Sequence, residues 1–408
     1  MSSKIKNIFV ITVISILFFS LSFSCFAMNS YSADTLYSEE NSIMCISYRG
    51  ETALYPENSL EGVLSAEEKD ADGVSVGVRK TADGILVLTE SGKKLSDVTD
   101  APYESVGEIT YEQLQNYYLK DNTGALTKYR MVSLSQTISL TGEDFIIIVD
   151  APWEERDGIY DLISHYGAFD RIIIRTDKSA SKVSEWVSSK PEKVNVISPY
   201  RGNIIFSAIS NFSKMSEIGS DFVQYQTKNY FGVVYGNSFC KRFANENAPK
   251  AIAPMYDLDL SGQRTDSTEG WNELIEAGYS VIETNNLVSL VSYIDRHEKS
   301  WKALSALTEK AENADMWSAS QTVMKNRQDA VLLSETTLDG LSSLDEIELA
   351  YSGLLLAMNE NNIDAEEDTQ KGHLNITAGK IIAALAVGAV ILAAQIFTYK
   401  MQKDRKGK

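Results

Sequence analysis

The chain has 408 residues, enough for two domains with terminal segments, and its 44% hydrophobic and 23% charged residues are ordinary for a globular protein. Its formal net charge of −18 argues against nucleic acid and anionic membrane surfaces as partners, because an acidic surface repels phosphate groups. The three histidines and three cysteines form no cluster with the spacing of a zinc site.

The first 27 residues have the pattern of a secretion signal. Two lysines precede an apolar core at residues 8–19, and Cys25 and Ala27 are small residues before the expected cleavage point. Such a signal directs the mature chain out of the cell, where Cys45 and Cys240 would be its remaining cysteines. They could form a disulfide or stay as two buried thiols, and the sequence leaves both open.

Between residues 43 and 296, short β-runs alternate with amphipathic stretches over the length of about 250 residues that is typical of a (β/α)8 barrel. Asn58 or Ser59 can cap the first helix, which would run to Lys69. An additional run, Ile85–Thr89, follows the turn Asp83-Gly84. The eight predicted barrel strands are Ile43–Ser47, Val74–Val78, Phe145–Asp150, Arg171–Thr176, Val194–Ser198, Phe222–Tyr225, Ala251–Met255 and Ser280–Thr284.

Residues 298–360 lack β-runs and predict a small three-helix segment. Its helices are expected at Trp301–Ala314, Ser318–Leu333 and Leu344–Met358, with apolar residues at helical spacing. They could form an antiparallel bundle of their own, a stalk, or simply pack against the barrel. A polar acidic linker, residues 361–375, follows.

The C-terminal segment predicts one transmembrane helix at residues 376–399. The basic tail, residues 400–408, would place the C-terminus in the cytoplasm and the preceding domains outside the cell, in a single-pass membrane protein. A buried core helix is the alternative, although it fits poorly beside so many positive charges. Because the signal carries +2 and residues 376–408 carry +5, the segment between them carries −25, which suits a solvated extracellular surface.

The first β-run and the residues after it resemble the glycerophosphodiester phosphodiesterase family, whose members are TIM barrels. In that family the first strand ends in His-Arg-Gly, and Pro-Glu-Asn follows. This chain matches at Arg49-Gly50 and at Pro56-Glu57-Asn58, and it also matches at Ala71, Asp72, Gly73, Thr81, Asp83 and Gly84. The resemblance continues, through generic α/β patterns in the family's order, to the final run at residues 278–284, and it implies the same barrel that the strand pattern predicts.

The reactive positions of the family are substituted here. Tyr48 and Glu90 stand at the two histidine positions, and Ser75 and Gly77 stand at two positions of acidic metal ligands, while Asp150 matches the third metal carboxylate. In the family, the histidines act as acid and base, and a divalent cation on three carboxylates neutralises the phosphate. One carboxylate holds Ca²⁺ or Mg²⁺ poorly, so no cofactor is expected unless the protein is active.

The resemblance also implies ligand-binding roles for Arg49, Glu57 and Asn58. The planar guanidinium of Arg49 would clamp a phosphate, so the implied ligand is of the glycerophosphate or polyol type. These residues have a structural interpretation as well. Arg49 could pair with Glu57 to tie two loops together, and Pro56-Glu57-Asn58 could serve to start a helix.

Three hypotheses follow. The leading one is a membrane-anchored, non-catalytic binding or scaffold protein of the cell envelope with a degenerate phosphodiesterase-like barrel. The alternative is an active extracellular glycerophosphodiester phosphodiesterase, a phosphoric diester hydrolase of lipid metabolism, with substituted site residues. The third is a structural spacer without a ligand. The sequence identifies no protein partner.

Overall fold

The structure, a computed structural model, describes residues 43–90, 92–202, 204–226, 250–253, 266–314 and 320–359. Its centre is a parallel sheet, to which one antiparallel strand, β3, is added. The strands are β1 Met44–Tyr48, β2 Gly73–Lys80, β3 Leu86–Leu88, β4 Ile146–Asp150, β5 Ile172–Arg175, β6 Asn195–Ile197, β7 Tyr200–Arg201, β8 Phe222–Gln226, β9 Lys250–Ala253 and β10 Val281–Thr284.

The sheet curls as in a TIM barrel. Its order is β6-β5-β4-β2-β1-β10-β9-β8-β7, so β6 and β7 lie at opposite ends of the order. Only two residues separate β6 from β7 in the chain, and the ends of the sheet therefore approach each other. The eight predicted barrel strands and the additional run at 85–89 are confirmed, and their described ends differ from the predicted ones by at most two residues. Residues 254–255 of the predicted strand Ala251–Met255 lie outside the described part.

Helices cover the outside of the sheet. Ser59 caps the first of them through its Oγ, which accepts from the backbone N–H of Gly62 at 3.1 Å. The helices are α1 Leu60–Glu68, α2 Leu95–Val98, α3 Tyr111–Leu114, α4 Leu134–Leu140, α5 Arg156–Tyr166, α6 Ala180–Ser188, α7 Ile205–Glu217, α8 Thr268–Ala277, α9 Leu287–Asn313, α10 Gln321–Leu338 and α11 Leu344–Asn359.

The alternation of side chains along each strand gives the barrel two separate apolar layers. Outward-pointing residues such as Cys45, Val74 and Ile147 pack with the helices in the main core. The inward-pointing residues form an inner core, whose buried members are Ile46, Ile148, Ile173, Ile197, Phe222, Ile252 and Val281. Residues buried on both faces explain why the strand sequences are nearly continuously apolar.

A small insertion with its own core follows β3. Residues 95–131 contribute Leu95, Ile109, Leu114 and Met131 to a cluster that packs on Val87 of β3.

The last three helices combine the two arrangements left open by the sequence. α9 runs without interruption from the barrel into the three-helix segment, so the expected boundary near residue 297 falls inside a helix. Leu304, Leu307 and Leu354 belong to a core within the segment. Leu341 and Leu344, in contrast, join the main core of the barrel. The segment is thus a small bundle that is also packed against the barrel.

Several sequence-based predictions fall on residues outside the described part: the signal at 1–27, the linker at 361–375, the transmembrane helix at 376–399, the basic tail and Cys240. Cys45 is buried in β1. Among the helices that the structure describes, none combines the length and the apolar character needed to cross a bilayer.

Candidate functional site

A polar layer covers the inner apolar core at the carboxyl ends of the strands. Two residues beyond an inner apolar residue, each of five strands carries a polar one on the same face: Tyr48 in β1, Asp150 in β4, Arg175 in β5, Gln224 in β8 and Glu283 in β10. Active sites of TIM barrels lie at this end. The polar layer is therefore the candidate site.

Arg175 bridges two carboxylates within this layer. Its Nη1 lies 2.8 Å from each carboxylate oxygen of Glu283. Its Nη2 donates to Oδ2 of Asp150 at 2.9 Å, and its Nε donates to Oδ1. Gln224 extends the network by donating to Oε2 of Glu283 at 3.2 Å. The guanidinium thus makes a bidentate contact with Asp150 through two nitrogens, and its third nitrogen, Nη1, contacts both oxygens of Glu283.

The surroundings keep this bridge ionised. Burial acts to raise the pKa of the Asp150 carboxyl, but the charges and hydrogen bonds of Arg175 and Arg49 outweigh it, so the pKa lies below its ordinary value. Burial acts to lower the pKa of Arg175, whereas Asp150 and Glu283 raise it well above the ordinary value. Asp150 and Arg175 are therefore both charged at neutral pH.

Arg49 lies just beyond β1 and also contacts Asp150. Its Nη1 is 3.0 Å from Oδ2 of Asp150, and its guanidinium carbon lies 4.6 Å from the centre of the Tyr48 ring. The residue is buried and has a left-handed backbone, with φ of 65°. Its Nε has no hydrogen-bond partner among the described residues. The alternative in which Arg49 pairs with Glu57 is not realised, because Arg49 pairs with Asp150 and Glu57 with Lys93.

Glu57 and Glu90 lie at the rim, where Lys93 bridges them. The Lys93 ammonium is 3.0 Å from Glu57 and 2.7 Å from Glu90. Asn58 is buried nearby and accepts from the backbone N–H of Gly77 through its Oδ1 at 2.8 Å. Of the predicted ligand-binding residues, Glu57 is therefore held at the rim, and the Asn58 side chain joins the first loop to β2.

The two substituted ligand positions lie on the inner face of β2. Ser75 is fully buried, and its Oγ has no hydrogen-bond partner within the described part of the chain. At Gly77, an added Cβ would lie 2.3 Å from the backbone oxygen of Thr89, much closer than real Cβ contacts. The backbone of Thr89 thus occupies the space into which a side chain at position 77 would have to extend.

These residues do not fit the divalent cation that the resemblance implies. Hard cations need several oxygen ligands, and the described residues contain no group of three His, Cys, Asp or Glu able to hold a metal ion. Asp150 is already paired with Arg49 and Arg175, while Glu57 and Glu90 are paired with Lys93.

Sequence reasoning missed Arg175, Gln224, Glu283 and Lys93. A usable signal exists for the first three, because each follows an inward apolar residue by two positions near the end of its strand. Their convergence cannot be read from one sequence, since 108 residues separate Arg175 from Glu283.

Comparisons with known proteins agree with this fold. Residues 49–182 match the glycerophosphoryl diester phosphodiesterase family, and no curated protein matches the chain. A glycerophosphoryl diester phosphodiesterase structure from Parabacteroides distasonis has 18% identity, a TM-score of 0.51 and covers 65% of this chain and 89% of its own. This likeness shows the shared fold.

Two further solved structures are similar. The Oleispira antarctica phosphodiesterase in complex with the product sn-glycerol-3-phosphate has 15% identity and a TM-score of 0.48, covering 62% of this chain and 97% of its own. The Thermotoga maritima glycerophosphodiester phosphodiesterase has 15% identity and a TM-score of 0.44, covering 61% and 97%. The family match agrees with the resemblance in the sequence: about a third of this chain, residues 49–182, is similar to the glycerophosphoryl diester phosphodiesterase family.

Proposed function

We propose that this protein is a non-catalytic member of its family, which binds a small ligand at the barrel mouth. One observation carries the proposal: the single acidic residue at the family's metal positions, Asp150, is engaged by two arginines. A carboxylate in this state offers little to a cation, and Tyr48 and Glu90 replace the histidines that would act as acid and base.

The ligand is proposed to be a phosphate-bearing or polyol molecule. Two buried groups in the layer have unused hydrogen-bonding capacity, the Nε of Arg49 and the Oγ of Ser75. They belong to neighbouring strands, since Tyr48 pairs with Ser75 and Arg49 follows Tyr48. Buried polar groups normally find partners, and phosphate or hydroxyl oxygens would supply them.

The catalytic half of the proposal is tested by turnover. The full-length chain, purified in mild detergent, is assayed for glycerol phosphate release from a glycerophosphodiester with Ca²⁺ or Mg²⁺. We expect no release above that of the Asp150→Asn variant. Metal-dependent turnover that Asp150→Asn abolishes would instead establish the alternative, an active phosphoric diester hydrolase.

The binding half is tested with sn-glycerol 3-phosphate and calorimetry. Ser75→Ala removes one hydrogen-bonding group and should weaken binding by about two- to tenfold, the value of one hydrogen bond. Ser47→Ala is a matched control, because the Oγ of Ser47 is also buried and without a hydrogen-bond partner in the described chain, but Ser47 alternates with the inward residues of β1. If the probe does not bind at all, the structural spacer becomes the better hypothesis.

The protein is further proposed to act at the cell surface, anchored by one C-terminal helix. The apolar segment at 376–399 and the basic residues after it support this proposal. Protease added to intact cells should digest the barrel and spare a tag placed at the C-terminus. A tag lost along with the barrel would reverse the proposed orientation.

A further inference from the structure

We infer that Arg175 is a built-in cation, which takes inside this barrel the place of the divalent ion around which the family's carboxylates are expected to gather. It does not depend on ligand binding at the mouth, but it rests on the part of the proposed function in which Asp150 holds no divalent cation.

The carboxylates surround the guanidinium of Arg175 as ligands surround a cation. Arg175 extends from the end of β5 into the centre of the polar layer, where all three guanidinium nitrogens contact carboxylate oxygens. Asp150 comes from the neighbouring β4, whereas Glu283 comes from β10, on the far side of β1 and β2 in the sheet order. One planar group thus joins strands that are not hydrogen-bonded to each other.

The charges of this cluster already balance. Arg49 and Arg175 carry two positive charges, and Asp150 and Glu283 carry two negative ones, in contact with one another. A divalent ion added to this cluster would leave two uncompensated positive charges beside the buried side chains of Arg175 and Glu283. Such charges are costly because the low dielectric strengthens their repulsion.

Removal of Arg175 would leave the elements of a cation site. The carboxylates of Asp150 and Glu283 would face one space, and the side-chain oxygen of Gln224, now 3.5 Å from Nη1 of Arg175, lies beside it. Together they offer oxygen ligands, and water could fill the remaining positions around Ca²⁺. A variant with a neutral side chain at position 175 should therefore need a bound cation to offset the charges of Asp150 and Glu283.

The test compares the full-length protein with Arg175→Ala and Arg175→Gln. The probe is Ca²⁺ alone, followed by thermal unfolding, with Tb³⁺ luminescence as a second measure of ion binding. We expect Ca²⁺ to leave the wild-type midpoint unchanged. The variants should unfold at a lower temperature in chelator, and Ca²⁺ should raise their midpoint by several degrees or raise their refolding yield.

Two further variants locate the ion. Adding Glu283→Gln to Arg175→Ala should abolish the Ca²⁺ response, whereas Arg175→Lys, which keeps the positive charge, should never acquire one. The inference is overturned if wild-type protein binds Ca²⁺ through Asp150 and Glu283. It is equally overturned if neither neutral variant, folded or not, responds to Ca²⁺.

Discussion

The barrel mouth contains the same ionic arrangement twice, in two very different environments. In the polar layer, Arg175 bridges Asp150 and Glu283. At the rim, Lys93 bridges Glu57 and Glu90. The side chains of Arg175, Glu283 and Asp150 are 8%, 2% and 22% exposed. Those of Lys93, Glu57 and Glu90 are 43%, 28% and 24% exposed, so the bridges differ most in their cations and in Glu283. Both bridges consist of one cation between two carboxylates, and they differ in how deeply they are buried.

The stability of the fold depends more on its buried charges than on its exposed ones. A buried carboxylate that loses its partner is left in a medium that solvates it poorly, so the loss is large. An exposed carboxylate that loses its partner is solvated by water and screened by salt. We therefore expect matched substitutions in the two bridges to have very different effects.

The largest effect is expected for Glu283→Gln. The substitution keeps the shape of the side chain but leaves the buried Arg175 with a single full counter-charge. Loss of one partner from a buried ion pair typically costs about 3–5 kcal/mol in the free energy of unfolding. Urea denaturation at neutral pH measures this cost. Glu57→Gln is the matched control at the rim. Equal losses of unfolding free energy in the two variants would show that burial does not distinguish the two bridges.

A smaller effect is expected for Gly77→Ala. This variant tests whether the fold leaves room at position 77 for the side chain of a metal ligand. The added Cβ would meet the backbone oxygen of Thr89, so the backbone must shift. Overpacking of this kind costs about 1–3 kcal/mol in unfolding free energy. Gly353→Ala is the control, because nothing lies within 4 Å of a Cβ there and the position is helical. It should be neutral or slightly stabilising. A neutral Gly77→Ala would mean that position 77 can accept a ligand side chain.

Much of the architecture could be predicted because it depends on local periodicity. The runs of Ile and Val at 146–149 and 172–174 can hardly form anything other than buried strands, and their spacing requires crossover helices. Ser59 is likewise the N-cap of α1, as its residue type suggests. These features need no information from distant parts of the chain.

The candidate site was only partly predictable, for a physical reason. Motif comparison identified Arg49 and Asp150, which the structure places 3.0 Å apart. It could not identify Arg175 and Glu283, because their contact depends on how far the sheet curls. The ligand role of Asn58 stays a prediction, and the structure adds that its Oδ1 accepts from the backbone N–H of Gly77.

An intermediate effect, dependent on pH, is expected at His297, which extends the comparison to a buried group outside the barrel mouth. The ring is fully buried in α9, and its Nε2 lies 2.7 Å from the backbone oxygen of Ser342, to which the neutral ring donates. Burial lowers the pKa of His297, although the contact with Ser342 acts to raise it. The unfolded chain therefore binds a proton more readily than the folded one.

The sign of the effect follows directly. The contribution of neutral His297 to the free energy of unfolding is complete above the ordinary histidine pKa of about 6.5. It is lost as the pH falls from there towards the lowered pKa of the folded state. The slope for one group is at most about 1.4 kcal/mol per pH unit. Denaturation between pH 5 and 8 measures the slope. His297→Gln should reduce it, and His165→Gln, at an exposed position of α5, should not. An unchanged slope in His297→Gln would assign the pH dependence to other groups.

The smallest effect is expected for Lys93→Ala, at the rim. The substitution removes the bridge between Glu57 and Glu90, yet an exposed ion pair typically contributes only about 0–1 kcal/mol, and salt weakens it further. Denaturation of wild type and variant at low and high ionic strength should therefore show a small difference that disappears in salt. A salt-insensitive loss as large as that of Glu283→Gln would show that the rim bridge is effectively buried. The rim and the polar layer would then have to be treated as one network.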